Sequence, residues 1–252
     1  MLLKLLNLNI FKGKFLPQII DFVKQEDVDI LMFQEVSGGS LSFDNLDCFQ
    51  ILQEKLDYNG DIAVAWRLAS DPLSYFGNAT FYKKRFSVVG KDVLWLKKYA
   101  EIENLQTYPI EEQPRSALSL LFDFSGKRVW TVNVHLAWGP TGEDQPHKVT
   151  QGKIFVDFMK TFREPFIISG DFNVDHSSQI VSWLSDFSRN LIVEHGITNT
   201  LNPRVHPAKH LFPKGLGVDF MFVEKTIVVK EFKALEDKNL SDHIGLSLTF
   251  EL

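Results

Sequence analysis

A chain of 252 residues, 44% hydrophobic and with 22 phenylalanines, can bury a sizeable core, which excludes a disordered or low-complexity protein. Its net charge of −5 gives no overall basic footprint for wrapping nucleic acid, although a local groove can be positive on an acidic protein. Cys48 is the single cysteine, which excludes an intramolecular disulfide and a cysteine-based zinc cluster and suits a reducing compartment.

Leu2 to Ile10 reads as a strand closed by Asn9; Lys4, Asn7 and Asn9 break its apolar run, and it lacks the small-residue cleavage site of a secretion signal. No apolar run approaches the roughly eighteen residues that span a bilayer, so the expectation is a cytoplasmic monomer without a membrane anchor. After a turn at Lys12-Gly13, Phe15, Ile19, Phe22 and Val23 recur at helical spacing, with Pro17 in the first turn. Asp29 to Val36 is an apolar strand that ends in Gln34-Glu35 and runs into Ser37-Gly38-Gly39. From Ser40 to Tyr75 the periodicity is poor, and only a short strand at Ile62 to Trp66 and a turn at Asp71-Pro72 stand out.

Tyr75 to Lys83 and Phe86 to Leu96 read as a hairpin whose tip, Lys83-Lys84-Arg85, lies in solvent. Ser116 to Phe124 and Lys127 to Leu136 form a second pair around Ser125-Gly126, with His135 at its end. Beyond the Gly- and Pro-rich loop Ala137 to Pro146, a helix places Phe155, Phe158, Met159 and Phe162 on a core-facing side. Phe166 to Ile168 is a strand buried on both faces, and Gly170 releases Asp171 and Asn173 at its carboxyl end. Ser177 or Ser178 caps a helix carrying Ile180, Trp183, Leu184 and Phe187. A long loop, Leu201 to Gly217, leads into Val218 to Val223, which Asp219 interrupts; Ser241-Asp242-His243 then precedes a last strand, Ile244 to Leu252. With no repeat or linker, residues 1–252 read as one layered α/β domain with mostly antiparallel strands.

Strand ends far apart in the chain finish with one class of residue: Asn9, Glu35, His135, Asp171 with Asn173, Asp219, and Asp242 with His243. Four of them have a plain reading as well. Asp171 and Asn173 suit an Asx turn, Glu35 a glutamate leaving the core for water, and His243 a satisfied core histidine. Taken together, carboxylate and amide oxygens suit a hard cation, Mg²⁺ or Mn²⁺, whereas zinc wants more nitrogen and sulfur. Phosphoryl transfer to water needs what such a set offers: neutralised phosphoryl oxygens, a positioned nucleophile and help for the departing oxygen.

In order, these residues resemble the endonuclease/exonuclease/phosphatase superfamily. The motifs are LNI at Leu8 to Ile10, QE at Gln34-Glu35, GNA at Gly77 to Ala79, NVHL at Asn133 to Leu136, GDFN at Gly170 to Asn173, VDFMFV at Val218 to Val223 and SDH at Ser241 to His243. The resemblance implies a four-layered, deoxyribonuclease I-like α/β sandwich of two packed sheets, mostly antiparallel, with helices on the outer faces, and hydrolysis of phosphoesters with a divalent metal. It implies that Asn9, Glu35 and Asp242 hold Mg²⁺ or Mn²⁺, that Asp171 polarises the attacking water with Asn173 orienting it, and that His243, oriented by Asp219, contacts the phosphate. His135 is then a phosphate ligand or leaving-group acid, and Asn78 and Arg115 match positions that touch the scissile phosphate. Asn78 also reads as a turn former, and Arg115 as a partner of a surface carboxylate. Two departures stand out: Phe11 replaces the acid of the apurinic-endonuclease branch, and Lys148 stands where an Arg-x-x-Gln pattern begins, before Gln151.

The expected activity is that of a nuclease or other phosphodiesterase acting on nucleic acid or a nucleotide-derived diester. The alternatives are a phosphomonoesterase on inositol- or sugar-type phosphates and a non-catalytic binding module of the same fold. Within Leu201 to Gly217, Arg204, His206, Lys209, His210 and Lys214 beside Phe212 suit a phosphate-plus-base substrate, with Lys209 and His210 as binding residues; a solvated loop stiffened by prolines is the other reading.

Overall fold

Alternation in the first strand decides the layering. In β1 (Leu2–Asn9), Leu3 and Leu5 point into a core shared by two sheets, while Leu6 and Leu8 point outward under helices. The computed structural model describes residues 1–252, and the remaining elements are α1 (Leu16–Glu26), β2 (Ile30–Gly38), α2 (Cys48–Leu56), β3 (Tyr58–Leu68), β4 (Asp71–Lys83), β5 (Ser87–Lys97), β6 (Ala100–Ile102), β7 (Arg115–Phe124), β8 (Lys127–His135), α3 (Pro146–Met159), β9 (Phe166–Asp171), α4 (Gln179–Ser185), β10 (Arg189–Asn190), α5 (Leu191–Glu194), β11 (Asp219–Val223), β12 (Val228–Ala234) and β13 (Leu246–Glu251).

One sheet has 7 strands in the order β12-β13-β1-β2-β4-β3-β6; the other has 6, in the order β10-β11-β9-β8-β7-β5. Neighbours are antiparallel except β1 with β2, β3 with β6 and β8 with β9. Leu16, Ile19 and Val23 of α1 and Leu52 of α2 cover the first sheet; Phe155 and Met159 of α3 and Ile180 and Leu184 of α4 cover the second. The result is the four-layered α/β sandwich that the motifs imply. No helix is long and apolar enough to cross a membrane.

The structure corrects the local reading in three places. β4 and β5 are not a hairpin, because they belong to different sheets, and Lys83-Lys84-Arg85 is the crossing between them. Lys84 and Arg85 are exposed as expected, but the segment is anchored: Lys83 Nζ and Arg85 Nη2 lie 2.9 and 2.7 Å from Oδ1 of the buried Asp29. The stretch with poor periodicity holds α2, whose cap Asp47 accepts from Gln50 N, and the long β3–β4 hairpin, in which Asp71-Pro72 begins a strand and the turn falls at Ala69-Ser70. An edge strand, β12, precedes the last strand, which starts at Leu246.

Candidate active site

Parallel pairing of β8 with β9 sets His135 beside Asp171, and antiparallel pairing of β9 with β11 sets Asp219 opposite Asp171. The second sheet thus delivers three functional groups from adjacent strand ends, where sheets of this kind carry their sites. Asn9 comes from the end of β1, Glu35 from β2, and Asp242 and His243 from the segment entering β13. Asn9, Glu35, Arg115, His135, Asp171, Asn173, Asp242 and His243 all line one cavity of about 390 Å³, and Asp219 stands behind His243.

Glu35 reaches the cavity through a β-bulge. The β2–β4 register slips by one residue between Phe33↔Ala79 and Val36↔Gly77, and Glu35 takes a left-handed φ of 57°. That conformation usually belongs to glycine, so a glutamate there marks a site held by its surroundings.

Asp171 is fixed from several sides. Asn9 Nδ2 donates to its Oδ2 at 3.1 Å, and the Asn173 backbone N–H donates to its Oδ1 at 2.9 Å. His135 Nε2 and His243 Nε2 lie 3.6 and 3.8 Å from Oδ2. Asn173 is itself held by its Nδ2 donating to the Leu136 carbonyl. The Phe11 N–H donates to Asn9 Oδ1, so Asn9 turns its amide hydrogens to Asp171 and keeps one lone-pair direction of its oxygen for another partner.

Burial pushes the Asp171 carboxyl up, Asp219 adds to the push, and His243 opposes it. Burial works against a charge on His243, yet Asp219 and Asp171 overcome it and lift the imidazole well above the ordinary histidine range. Its Nδ1 donates to Asp219 Oδ2 at 2.8 Å, and Asp219 N–H is tied in turn to Thr200 Oγ1 at 3.0 Å. His135 behaves oppositely: burial, with the charges of Arg115 and His243, holds it well below its usual value, so it is neutral at pH 7. One histidine is therefore a cation and its neighbour a neutral donor or acceptor.

The donor set fits a hard divalent cation. Glu35 Oε2 is buried with no hydrogen-bond partner, and burial, reinforced by the charge of Glu35, pushes the Asp242 carboxyl up to about 6. Like charges that act on one another in a buried cavity want a counter-ion, and oxygen donors select Mg²⁺-like ions over zinc. Donor atoms of His206, Asp242 and His243, and of Asp171, Asp219 and His243, also gather within 4.8 Å. In the second group the His243–Asp219 ion pair already satisfies two members.

Three sequence-derived candidates lie elsewhere. Asn78 is buried with Nδ2 donating to the Ser116 carbonyl at 2.8 Å, and it does not line the cavity. Lys209 and His210 do not line it either; Lys209 Nζ folds back onto the Arg204 carbonyl. Their loop contributes His206, Ala208, Leu211 and Phe212 instead. Arg115 does line the cavity, buried, with Nε donating to the Leu136 carbonyl at 3.1 Å and no carboxylate partner. Lys148, also buried, donates to the carbonyls of Thr141 at 2.6 Å and Asn173 at 2.7 Å, while Gln151 Oε1 accepts from Ala137 N–H, so this pair anchors the loop between β8 and α3. Of the further lining residues, Phe11 stood out in the sequence only as a departure from the family pattern, and Lys12 and Trp138 carried no signal beyond their place in loops next to strand ends.

Two packed sheets whose strand ends converge on buried acids and a His–Asp pair define a phosphoester hydrolase. The family model described as "Endonuclease/Exonuclease/phosphatase family" matches residues 6–243, and the chain belongs to that family. It is 25% identical over 198 residues to the CCR4-Not complex 3'-5'-exoribonuclease subunit Ccr4 of Kluyveromyces lactis, a match covering 68% of this chain. The chain spans about a quarter of that relative, of which 24% is covered. Among solved structures, the mannosyl-6-phosphatase Bt3783 of Bacteroides thetaiotaomicron superposes with a TM-score of 0.73 at 20% identity, over 99% of this chain and 100% of the other. The human Nocturnin catalytic domain with bound sulfate anion superposes with a TM-score of 0.71 at 17% identity, over 99% and 93%. At these identities the two likenesses establish the shared fold.

Proposed function

We propose that the protein is a Mg²⁺- or Mn²⁺-dependent phosphodiesterase acting on nucleic acid or a nucleotide-derived diester, as a monomer in the reducing cytoplasm. The observation that carries this reading is Asp171, a buried carboxylate oriented by Asn9 and Asn173, with the His243 imidazolium 3.8 Å away. Asp171 takes the proton of the attacking water, and Asn173 keeps that water in line. His243, held as a cation by Asp219, and Arg115 neutralise the phosphoryl oxygens as charge develops on them. Neutral His135 holds the departing oxygen. Glu35 and Asp242, with Asn9 in support, would hold the divalent ion, which when bound supplies Lewis-acid stabilisation of the phosphoryl group. Trp138, Phe11 and Phe212 on the rim offer stacking faces for a base. The buried lone Cys48 supports the reducing location.

A second reading, a phosphomonoesterase on a small phosphate, is favoured by one observation: Lys12 is the one lysine on the cavity wall, so a long polyanion would find few phosphate contacts there. Assaying bis-p-nitrophenyl phosphate, a 3'-labelled oligonucleotide and a panel of phosphomonoesters with Mg²⁺ and Mn²⁺ separates the readings. Turnover of diesters above monoesters is expected. Turnover of monoesters alone establishes the second reading, and no turnover of any phosphoester with either ion leaves a binding module.

A further inference from the structure

Glu35 enters the cavity only because β2 bulges there, and a left-handed glutamate persists only where its surroundings over-determine it. Those surroundings are buried amides that span the two sheets. Asn133 of β8, in the six-stranded sheet, crosses the sandwich, and its Nδ2 donates to the carbonyls of Phe33 at 3.1 Å and Ala79 at 2.9 Å, the last regular pair before the bulge. Its Oδ1 accepts from Nε2 of Gln34, the bulge residue next to Glu35, at 2.7 Å. Gln34 Nε2 also donates to Asn7 Oδ1 of β1 at 2.9 Å. In the opposite direction Asn78, on β4 across from the bulge, donates to the Ser116 carbonyl of β7 at 2.8 Å. Asn7, Gln34 and Asn133 are wholly shielded from solvent, so each lost bond would strand a buried polar group.

We propose that Asn133, bonded to Gln34 and flanked by the Asn78 tie between β4 and β7, is a positioning residue: it clamps the β2 bulge and so keeps the Glu35 carboxylate in the cavity. Buried amides that merely satisfied local carbonyls would be indifferent to the conformation of residue 35. This clamp is not. It grips the step before the bulge, the bulge itself and the strand opposite, from the other sheet. The inference rests on the proposed function only for what Glu35 does once placed.

The test therefore begins with a quantity that needs neither cation nor substrate. In EDTA, Glu35→Gly is expected to melt about 2–4 °C above Glu35→Ala, because only glycine takes the left-handed conformation without strain. In an Asn133→Ala background the bulge relaxes and that gap closes or reverses, since alanine outranks glycine in a regular strand. A gap that survives undiminished overturns the proposal. Should Asn133→Ala fail to fold, Asn133→Ser and Asn78→Ser carry the same comparison with less lost volume. Calorimetric titration with Mn²⁺ gives the second readout. Asn133→Ala is expected to weaken binding about tenfold, and Glu35→Gln added to it to cost nothing further, because both act through one carboxylate. Independent, additive losses would also overturn the clamp. A wild type that binds no Mn²⁺ defeats the proposed function while leaving the melting comparison intact.

Discussion

Asp171 and Glu35 show two ways in which a carboxylate is made useful. Asp171 is pushed toward neutrality by burial and gripped by Asn9 and Asn173, the condition of a general base working near pH 7. Asp171→Asn keeps the shape and removes the basicity. It is expected to lower kcat by about 10²–10⁴ while leaving the thermal midpoint close to wild type, because the carboxylate it replaces is penalised by burial; a kcat within a few-fold of wild type would remove Asp171 from the chemistry. Glu35 instead has an oxygen with nothing to bond. Glu35→Gln should raise the Mg²⁺ or Mn²⁺ concentration for half-maximal rate, and an unchanged requirement would take Glu35 out of the cation site. Cys48 is the contrasting, silent residue. Burial pushes its thiol up to about 11, so iodoacetamide at pH 7.5 should leave it unmodified until denaturant is added.

Among elements, strand ends were legible and loops were not. A period of two in the strands and polar residues just past them identified Asn9, Glu35, His135, Asp171, Asp219 and His243, all of which the fold brings to one place. Local pattern carries no statement of sheet membership, which is why β4 and β5 read as a hairpin although they cross between sheets. Nor does it reveal a bulge: QE reads as the end of a regular strand, whereas β2 continues to Gly38 and only the register against β4 shows the slip. The loop Leu201–Gly217 makes the same point, since its basic residues drew attention, yet of these only His206 lines the cavity, beside apolar residues such as Leu211 and Phe212. Lys209→Ala with His210→Ala is accordingly expected to leave KM near wild type, and Phe212→Ala to raise it several-fold with little change in kcat, the pattern of lost uniform binding. The opposite ranking of the two variants would restore the basic residues as the binding face.

For the molecule as a whole, pH and cation act on one balance. In the folded state Asp242 sits at about 6, above the ordinary carboxylate range, and Asp171 and His243 are likewise raised, so each contributes stability that fades as pH climbs through its folded value. His206, lowered to about 4 by burial and by His243, and His135, also lowered, contribute stability that fades as pH falls below about 6.5. The Asp242 contribution is largely spent by pH 6.5, so in EDTA the decline of the thermal midpoint from pH 6.5 to 8.5 should come from His243 and Asp171. A divalent ion competes with protons for the same acids, so its stabilising shift should be larger at pH 8 than at pH 6; equal shifts at both would argue against Asp242 as a ligand.

Two of the hydrogen bonds that build the site, Asn9 to Asp171 and His243 to Asp219, each join a group delivered by one sheet to a group delivered by the other. Catalysis therefore straddles the plane on which the sheets could slip, and a displacement of about 1 Å at a reacting centre costs about 100-fold in rate. The enzyme is in this sense a vernier, two ruled scales whose marks coincide at one setting. If urea or pressure too weak to unfold either layer moves the marks, activity should fall while circular dichroism still reports an intact sandwich; loss of both together would show that the layers hold register until they unfold.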